Sequence, residues 1–226
     1  MTRVWLIRHG ASTASPGLAI GVSNPPLSDL GRDQARNVAL ALSARPLVRV
    51  ISSDLRRAME TATIIAARHR IAVETSAALR EIDFGTWEGR DLRDLWLEDP
   101  AAAGAWERDV RVTPRDFGES VSDLERRVAA FWKESSPLPA TGEIAIVIVG
   151  HGGSLAALRA LISHEAIATA LGSRLEVGAM IGLDAHRFRS GLVGERRRRS
   201  SRRARSESLR VRKSVRLSRS GNQAPC

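Results

Sequence analysis

Two histidines in this chain follow the same kind of sequence. His9 comes after the apolar run 4–7 and Arg8 and is followed by Gly10; His151 comes after the apolar run 144–149 and Gly150 and is followed by Gly152 and Gly153. A lone histidine is more often a turn or core residue than a catalyst, but two glycine-flanked histidines closing two apolar runs are hard to explain as packing. Arg8 adjoins the first, and Arg57, beside Arg56, follows a further run at 47–51. Two imidazoles and two guanidiniums converging on one crevice make a site for a dianionic phosphoryl group, because Arg offers a planar fork matched to phosphate oxygens. An imidazole attacks phosphorus when one ring nitrogen is unprotonated and an acceptor holds the other. A nearby carboxyl group then protonates the leaving alkoxide and later activates water. Glu81 is a candidate, with Asp83 and Glu88 having equal claims on spacing alone. Such a site takes its positive charge from side chains and requires no metal. His69, His164 and His186 lack the strand-end setting and read as surface residues.

The elements that must position these residues alternate between strand and helix. Short continuous apolar runs read as strands covered on both faces, and ligands bind where loops leave the carboxyl ends of such strands. The runs at 4–7, 47–51 and 144–149 fit that description, and 71–75 reads as a shorter strand. Residues 12–26 are rich in Gly, Ser and Pro without a period, which predicts a long loop of the kind that carries function. Ser28-Asp29 offers an N-cap to a helix of about four turns with Leu30, Ala35, Val38, Ala39 and Leu42 on one face. Ser52-Ser53-Asp54 is expected to cap a second helix running to about His69. Residues 79–89 read as a structured loop, 91–109 as short helices interrupted at Pro100 and Gly104 and capping the crevice, 121–133 as an amphipathic helix, and 154–162 as another helix. Strand, polar turn and helix in repetition predict βαβ units and a parallel sheet.

Charge divides the chain. Of 35 Lys and Arg, 14 lie from His186 onward with only 2 Glu, a net of +12 there, which leaves 21 basic and 23 acidic residues in 1–185, a net of −2. Residues 1–185 are thus expected to form one domain and 186–226 a disordered Arg/Ser-rich tail, since like charges at that density repel and no apolar period is present. Arg clusters bind polyanions by counterion release, so nucleic-acid binding is expected, if anywhere, through the tail. No aromatic residue follows Phe188 to stack on bases. The single cysteine, Cys226, excludes disulfides and thiolate metal clusters within 1–225. With no basic leader, signal core or run long enough to span a bilayer, the expectation is a cytoplasmic protein without membrane partners.

Arg8-His9-Gly10, the run Ser52-Ser53-Asp54-Leu55-Arg56-Arg57-Ala58 with Thr61-Ala62, Leu79-Arg80-Glu81 and Gly150-His151-Gly152-Gly153 together resemble the histidine phosphatase superfamily, the phosphoglycerate-mutase-like fold, over about residues 3–185. Any one of these motifs is weak; four in the right order are specific. The resemblance implies a three-layer α/β/α sandwich with a mostly parallel central sheet and no cofactor. It implies His9 as the phosphorylated nucleophile, Glu81 as proton donor, and Arg8, Arg57 and His151 as ligands of the phosphoryl group. Arg57 is preferred to Arg56 because in the family pattern an Arg-Ala pair precedes Thr-Ala. The family often carries Asn where this chain has Ser15, so Ser15 is expected in the phosphate loop with that hydrogen bond missing or made differently.

Within the superfamily, Phe84-Gly85-Thr86-Trp87-Glu88-Gly89, Pro25-Pro26-Leu27-Ser28 and Gly118-Glu119-Ser120 look like the α-ribazole phosphatases of cobalamin synthesis. That resemblance implies a small-molecule phosphate ester, α-ribazole 5′-phosphate, as the partner, with a broad-specificity phosphatase or a phosphoglycerate-mutase-like enzyme as the alternatives. Residues 89–119 lack the longer insertion of the glycolytic mutases, which favours hydrolysis. The alcohol half of the substrate is expected against residues 17–26 and 91–117. Such phosphatases finish with a strand and a few residues, whereas this chain runs on into the tail, as a natural extension or after a change of reading frame near Phe188. A sheet that lost its edge element there would be less stable.

Overall fold

The computed structural model describes residues 2–109, 111, 118–135 and 144–185. The tail from 186, with the disorder and polyanion expectations attached to it, lies outside the described residues, as do 112–117.

Strands β1 (Thr2–Arg8), β2 (Leu47–Ser52), β3 (Val73–Thr75), β4 (Ile144–Gly150) and β5 (Met180–Ala185) form one sheet in the order β3-β2-β4-β1-β5. The first four are parallel; β5 pairs antiparallel with β1 and supplies the edge element. Alternation along each strand builds two cores. Val4, Leu6, Ile51, Ile146 and Ile148 face α5 (Val121–Ser135), α6 (Gly152–Ser163) and α7 (Ile167–Gly172). Ile7, Val50, Val147 and Val149 face α1 (Asp29–Ala41) and α2 (Arg56–His69). Val147, Ile148 and Val149 are fully buried, each contributing about 1.5–3 kcal/mol of apolar transfer. The result is the three-layer α/β/α sandwich with a mostly parallel sheet.

A third, smaller core lies outside these layers. Ala19, Trp87 and Leu95 are buried together with Phe84, Leu92 and Trp96 packed against them. It docks α3 (Leu92–Glu98) on the loop after β1, with α4 (Pro100–Arg108) following. The loop is pinned by backbone bonds of Ala19 N–H to Arg90 O, Gly89 N–H to Ala19 O and Leu92 N–H to Gly17 O.

Several local expectations are corrected. Leu30 is 63% exposed, and Gly31 takes its place on the buried face of α1, lying against the backbone of Ala11. Ser28 does cap α1, accepting from Gly31 N–H at 3.1 Å. Ser52-Ser53-Asp54 do not cap α2, whose N-cap is Leu55. Ser52 Oγ donates to Ser53 O at 2.8 Å, and tertiary partners take the other two: Ser53 Oγ lies 2.9 Å from His151 Nε2, and Asp54 forms a fork with Arg80 at 2.7 and 2.5 Å. Asn24, from the loop, accepts the first N–H of α2 at 2.6 Å. The third strand is three residues rather than five, and α4 runs through Gly104 without a break. His69 is half-buried, not a surface residue, with no partner for Nε2 among the described residues; His164 is exposed.

Candidate functional site

Register places the two histidines together. Arg8 of β1 pairs with Gly150 of β4, and His9 N–H extends the ladder to Gly150 O at 3.1 Å. The histidines therefore leave neighbouring parallel strands at one level, with ring centroids 4.9 Å apart and planes tilted by 58°. His9 is 8% exposed and His151 fully buried.

The two rings are held differently. His9 Nδ1 lies 2.7 Å from Gly10 O; a carbonyl only accepts, so Nδ1 carries the proton and Nε2 keeps its lone pair. Arg57 Nε–H donates to that nitrogen at 3.2 Å. Burial lowers the His9 pKa to about 3, opposed by the Gly10 carbonyl and assisted by Arg57 and Arg8. The ring is neutral at ordinary pH. His151 Nε2 lies against Ser53 Oγ, a group that both donates and accepts, and its backbone N–H donates to Ser154 Oγ at 3.1 Å at the start of α6. Burial first, then the electrostatic coupling to the His9 ring and the charges of Arg57, Arg8 and Arg127, hold its pKa well below the usual histidine range.

The arginines divide their donors. Arg57 is 1% exposed, and its terminal nitrogens donate to Ser23 O at 2.7 Å and Gly21 O at 2.8 Å. Its planar fork is thus turned to the loop, not into the crevice, and Nε is the atom that faces His9. Arg56, its neighbour, is exposed and pairs with Glu60 at 2.8 Å. Arg8 donates from one terminal nitrogen to Leu175 O at 2.8 Å, while its buried Nε has no partner among the described residues. A buried N–H without an acceptor is costly unless a ligand supplies one. Burial lowers the pKa of both arginines, Glu81 opposing the shift in each.

Geometry also separates the three carboxylates. Glu81 accepts Gly153 N–H at 2.9 Å and lines the cavity beside Arg8. A Cβ on Gly153 would lie 2.4 Å from its Oε1, so a side chain there would push the Glu81 carboxylate off the start of α6. Asp83 accepts the Gly85 N–H at 2.8 Å and serves the turn at 85–87. Glu88 is bonded to residues 21–23. The main chain of Glu81 is itself held, because Arg127 donates to Ala78 O and Glu81 O and forms a fork with Glu119 at 2.6 and 2.8 Å. Ser15 is exposed in the loop and makes no hydrogen bond to this cluster.

A cavity of about 290 Å³ opens beside the cluster, with Arg8, Glu81, Gly152, Gly153 and Arg174 at its polar end and Leu18, Ile20, Phe84, Trp87, Leu92 and Trp96 among its walls. Trp87 and Trp96 meet edge to face at 5.1 Å. The expected segments contribute Leu18, Ile20, Leu92 and Trp96, and Phe84, Trp87, Leu171 and Arg174, which sequence reasoning did not single out as lining it, join them. Nor did it single out the roles of Ser53 and Arg127; both depend on contacts between distant segments. Among the described residues no group of three or more His, Cys, Asp or Glu is placed to hold a metal ion, and no helix is long and apolar enough to cross a membrane.

A family profile described as histidine phosphatase superfamily (branch 1) matches residues 4–192. An adenosylcobalamin/alpha-ribazole phosphatase of Salmonella typhimurium is 33% identical over 184 residues, covering 80% of this chain and 90% of that one. A glucosyl-3-phosphoglycerate phosphatase of Mycolicibacterium vanbaalenii is 35% identical over 166 residues, covering 71% and 73%. The crystal structure of the alpha-ribazole phosphatase from Shigella flexneri superposes with a TM-score of 0.71 at 32% identity, covering 80% of this chain and 90% of that one.

Proposed function

This chain belongs to the histidine phosphatase superfamily, and from that premise we propose that it hydrolyses phosphate monoesters in two steps through a phosphohistidine at His9. The observation that carries this reading is the state of the His9 ring: neutral, its proton fixed on Nδ1 by Gly10 O, its Nε2 lone pair accepting from Arg57 Nε–H. When an ester enters, that N–H moves to a phosphoryl oxygen and frees the lone pair. Arg8 Nε–H takes a second oxygen, and the neutral His151 ring donates to the phosphoryl group without adding charge to a crowded cationic site. The Nε2–P bond forms as the ester P–O bond breaks, and the Glu81 carboxyl group gives its proton to the departing alkoxide. The Glu81 carboxylate then takes a proton from water as its oxygen bonds to phosphorus. The N–P bond breaks, releasing inorganic phosphate.

For the alcohol half, the aromatic walls of the cavity favour a flat, apolar group, which supports an α-ribazole 5′-phosphate type of ester. The specific observation on the other side is Arg174, whose cation at the polar end suits the carboxylate of glucosyl-3-phosphoglycerate. The two readings separate by measuring kcat/KM for both esters and for para-nitrophenyl phosphate, with Arg174→Ala alongside. The first expects the ribazole ester to be preferred and Arg174→Ala to change its kcat/KM by less than about threefold. Preference for the carboxylate ester, with a loss of about tenfold or more in Arg174→Ala, replaces it with the second. Glu81→Gln is expected to lower kcat by about 10²–10⁴-fold on esters with poor leaving groups, and less on para-nitrophenyl phosphate, whose leaving group needs little protonation.

A further inference from the structure

Glu88 takes no part in the steps above, yet among the described residues its carboxylate gathers five hydrogen bonds. The backbone N–H groups of Gly21, Val22 and Ser23 reach it at 2.9, 3.0 and 3.2 Å, and the Ser23 hydroxyl and Phe84 N–H complete the set. The same stretch of loop turns its carbonyls the other way. Ile20 O, Gly21 O and Ser23 O accept from the terminal nitrogens of Arg57 at 3.4, 2.8 and 2.7 Å. The peptide dipoles of residues 20–23 are therefore strung between an anion and a buried cation. Those bonds use the Arg57 fork and leave Nε–H directed at His9 Nε2.

Residues 21 and 22 gain little from side-chain packing. A Cβ on Gly21 would lie 2.1 Å from Ile82 O and 2.3 Å from Glu88 Oε1, so the residue at the centre of the strap has no side chain to pack. Val22 is 39% exposed. We propose that Glu88 is a positioning residue: by holding residues 21–23 it sets the three carbonyls that orient the Arg57 guanidinium, and through Arg57 it aligns the Nε2 of His9 for attack. A displacement of about 1 Å in such a chain is enough to cost on the order of 10²-fold in rate. The charge of Glu88 also acts on Arg57 directly, opposing the burial that destabilises its cation.

The proposal rests on His9 being the nucleophile, and its test reads that separately. Phosphoenzyme formation from saturating para-nitrophenyl phosphate is measured in a single turnover, together with KM, for the full chain and for Glu88→Gln, Glu88→Ala and Ser23→Ala. Glu88→Ala is expected to slow phosphorylation by about 10²-fold while KM changes far less. Glu88→Gln keeps one acceptor oxygen but places an NH₂ against Ser23 N–H, and is expected to slow it by about tenfold, Ser23→Ala less. In an Arg57→Ala background Glu88→Gln should have little further effect, because the path to His9 is already cut. Phosphorylation at the wild-type rate in Glu88→Gln, or an equal loss with and without Arg57, overturns the proposal; where Glu88→Ala does not fold, the Gln variant and the cycle decide. A wild-type protein that forms no phosphoenzyme removes the reading beneath it and the proposal together.

Discussion

The ends of β1 and β4 present nearly the same local sequence and two different environments. Each is a buried strand followed by a histidine and glycine, and the two histidines sit at matched register. At the end of β1 a carbonyl fixes one tautomer and an arginine faces the other nitrogen. At the end of β4 a hydroxyl, which accepts either tautomer, is the ring's partner, and the ring is sealed from solvent. The first arrangement offers a defined lone pair; the second leaves Nδ1 without a partner among the described residues while Nε2 meets a hydroxyl that suits either tautomer. The difference comes from what meets each ring (Gly10, Arg57, Ser53), not from the strand or the histidine. Under the proposed mechanism, one histidine attacks and the other accommodates the transferred group.

The largest effect expected from this asymmetry is on rate. His9→Ala should lower phosphatase activity by at least about 10⁴-fold and abolish the covalent intermediate. His151→Ala should cost about 10²–10³-fold, as loss of one donor to developing charge does, and still form the intermediate. Equal losses in the two variants, with the intermediate absent from both, would break the comparison. Ser53→Ala sharpens it: freeing the His151 ring from this hydroxyl should slow turnover by about tenfold while leaving the His9 tautomer untouched.

A further effect is on stability. Both histidines are neutral in the folded protein with pKa values below the ordinary value near 6.5. The unfolded chain therefore binds more protons below that pH. Stability should fall as pH drops through about 6.5 towards the folded pKa near 3 for His9, by up to about 1.4 kcal/mol per pH unit for each ring. Thermal melts between pH 7 and 4 should show a shallower decline in His151→Ala than in the wild type. Parallel curves contradict the neutral, buried assignment.

What could be read in the sequence follows the range of the interaction. Runs 4–7 and 144–149 announce buried strands because burial on both faces demands unbroken apolar residues, and each histidine is visible as the break in such a run. Arg57 and Arg56 differ only in which side of α2 meets the sheet, so the family pattern was needed to choose. Glu81, Asp83 and Glu88 are chemically alike and close in sequence; the backbone of Gly153, 72 residues away, separates them. Ser53 and Asp54 read as caps because their local chemistry favours caps, and distant His151 and Arg80 outcompeted that use. Leu30 fits the helical period yet lies exposed, because the close approach of Gly31 to Ala11 sets the rotation of α1, a contact no helical period encodes.

The central claim is tested most directly by quenching the enzyme during turnover of a ³²P-labelled phosphate ester and mapping the label by peptide. The account predicts an acid-labile, alkali-stable label on His9, in the wild type and in His151→Ala alike. A label on His151, or on no histidine while the enzyme still turns over, contradicts it.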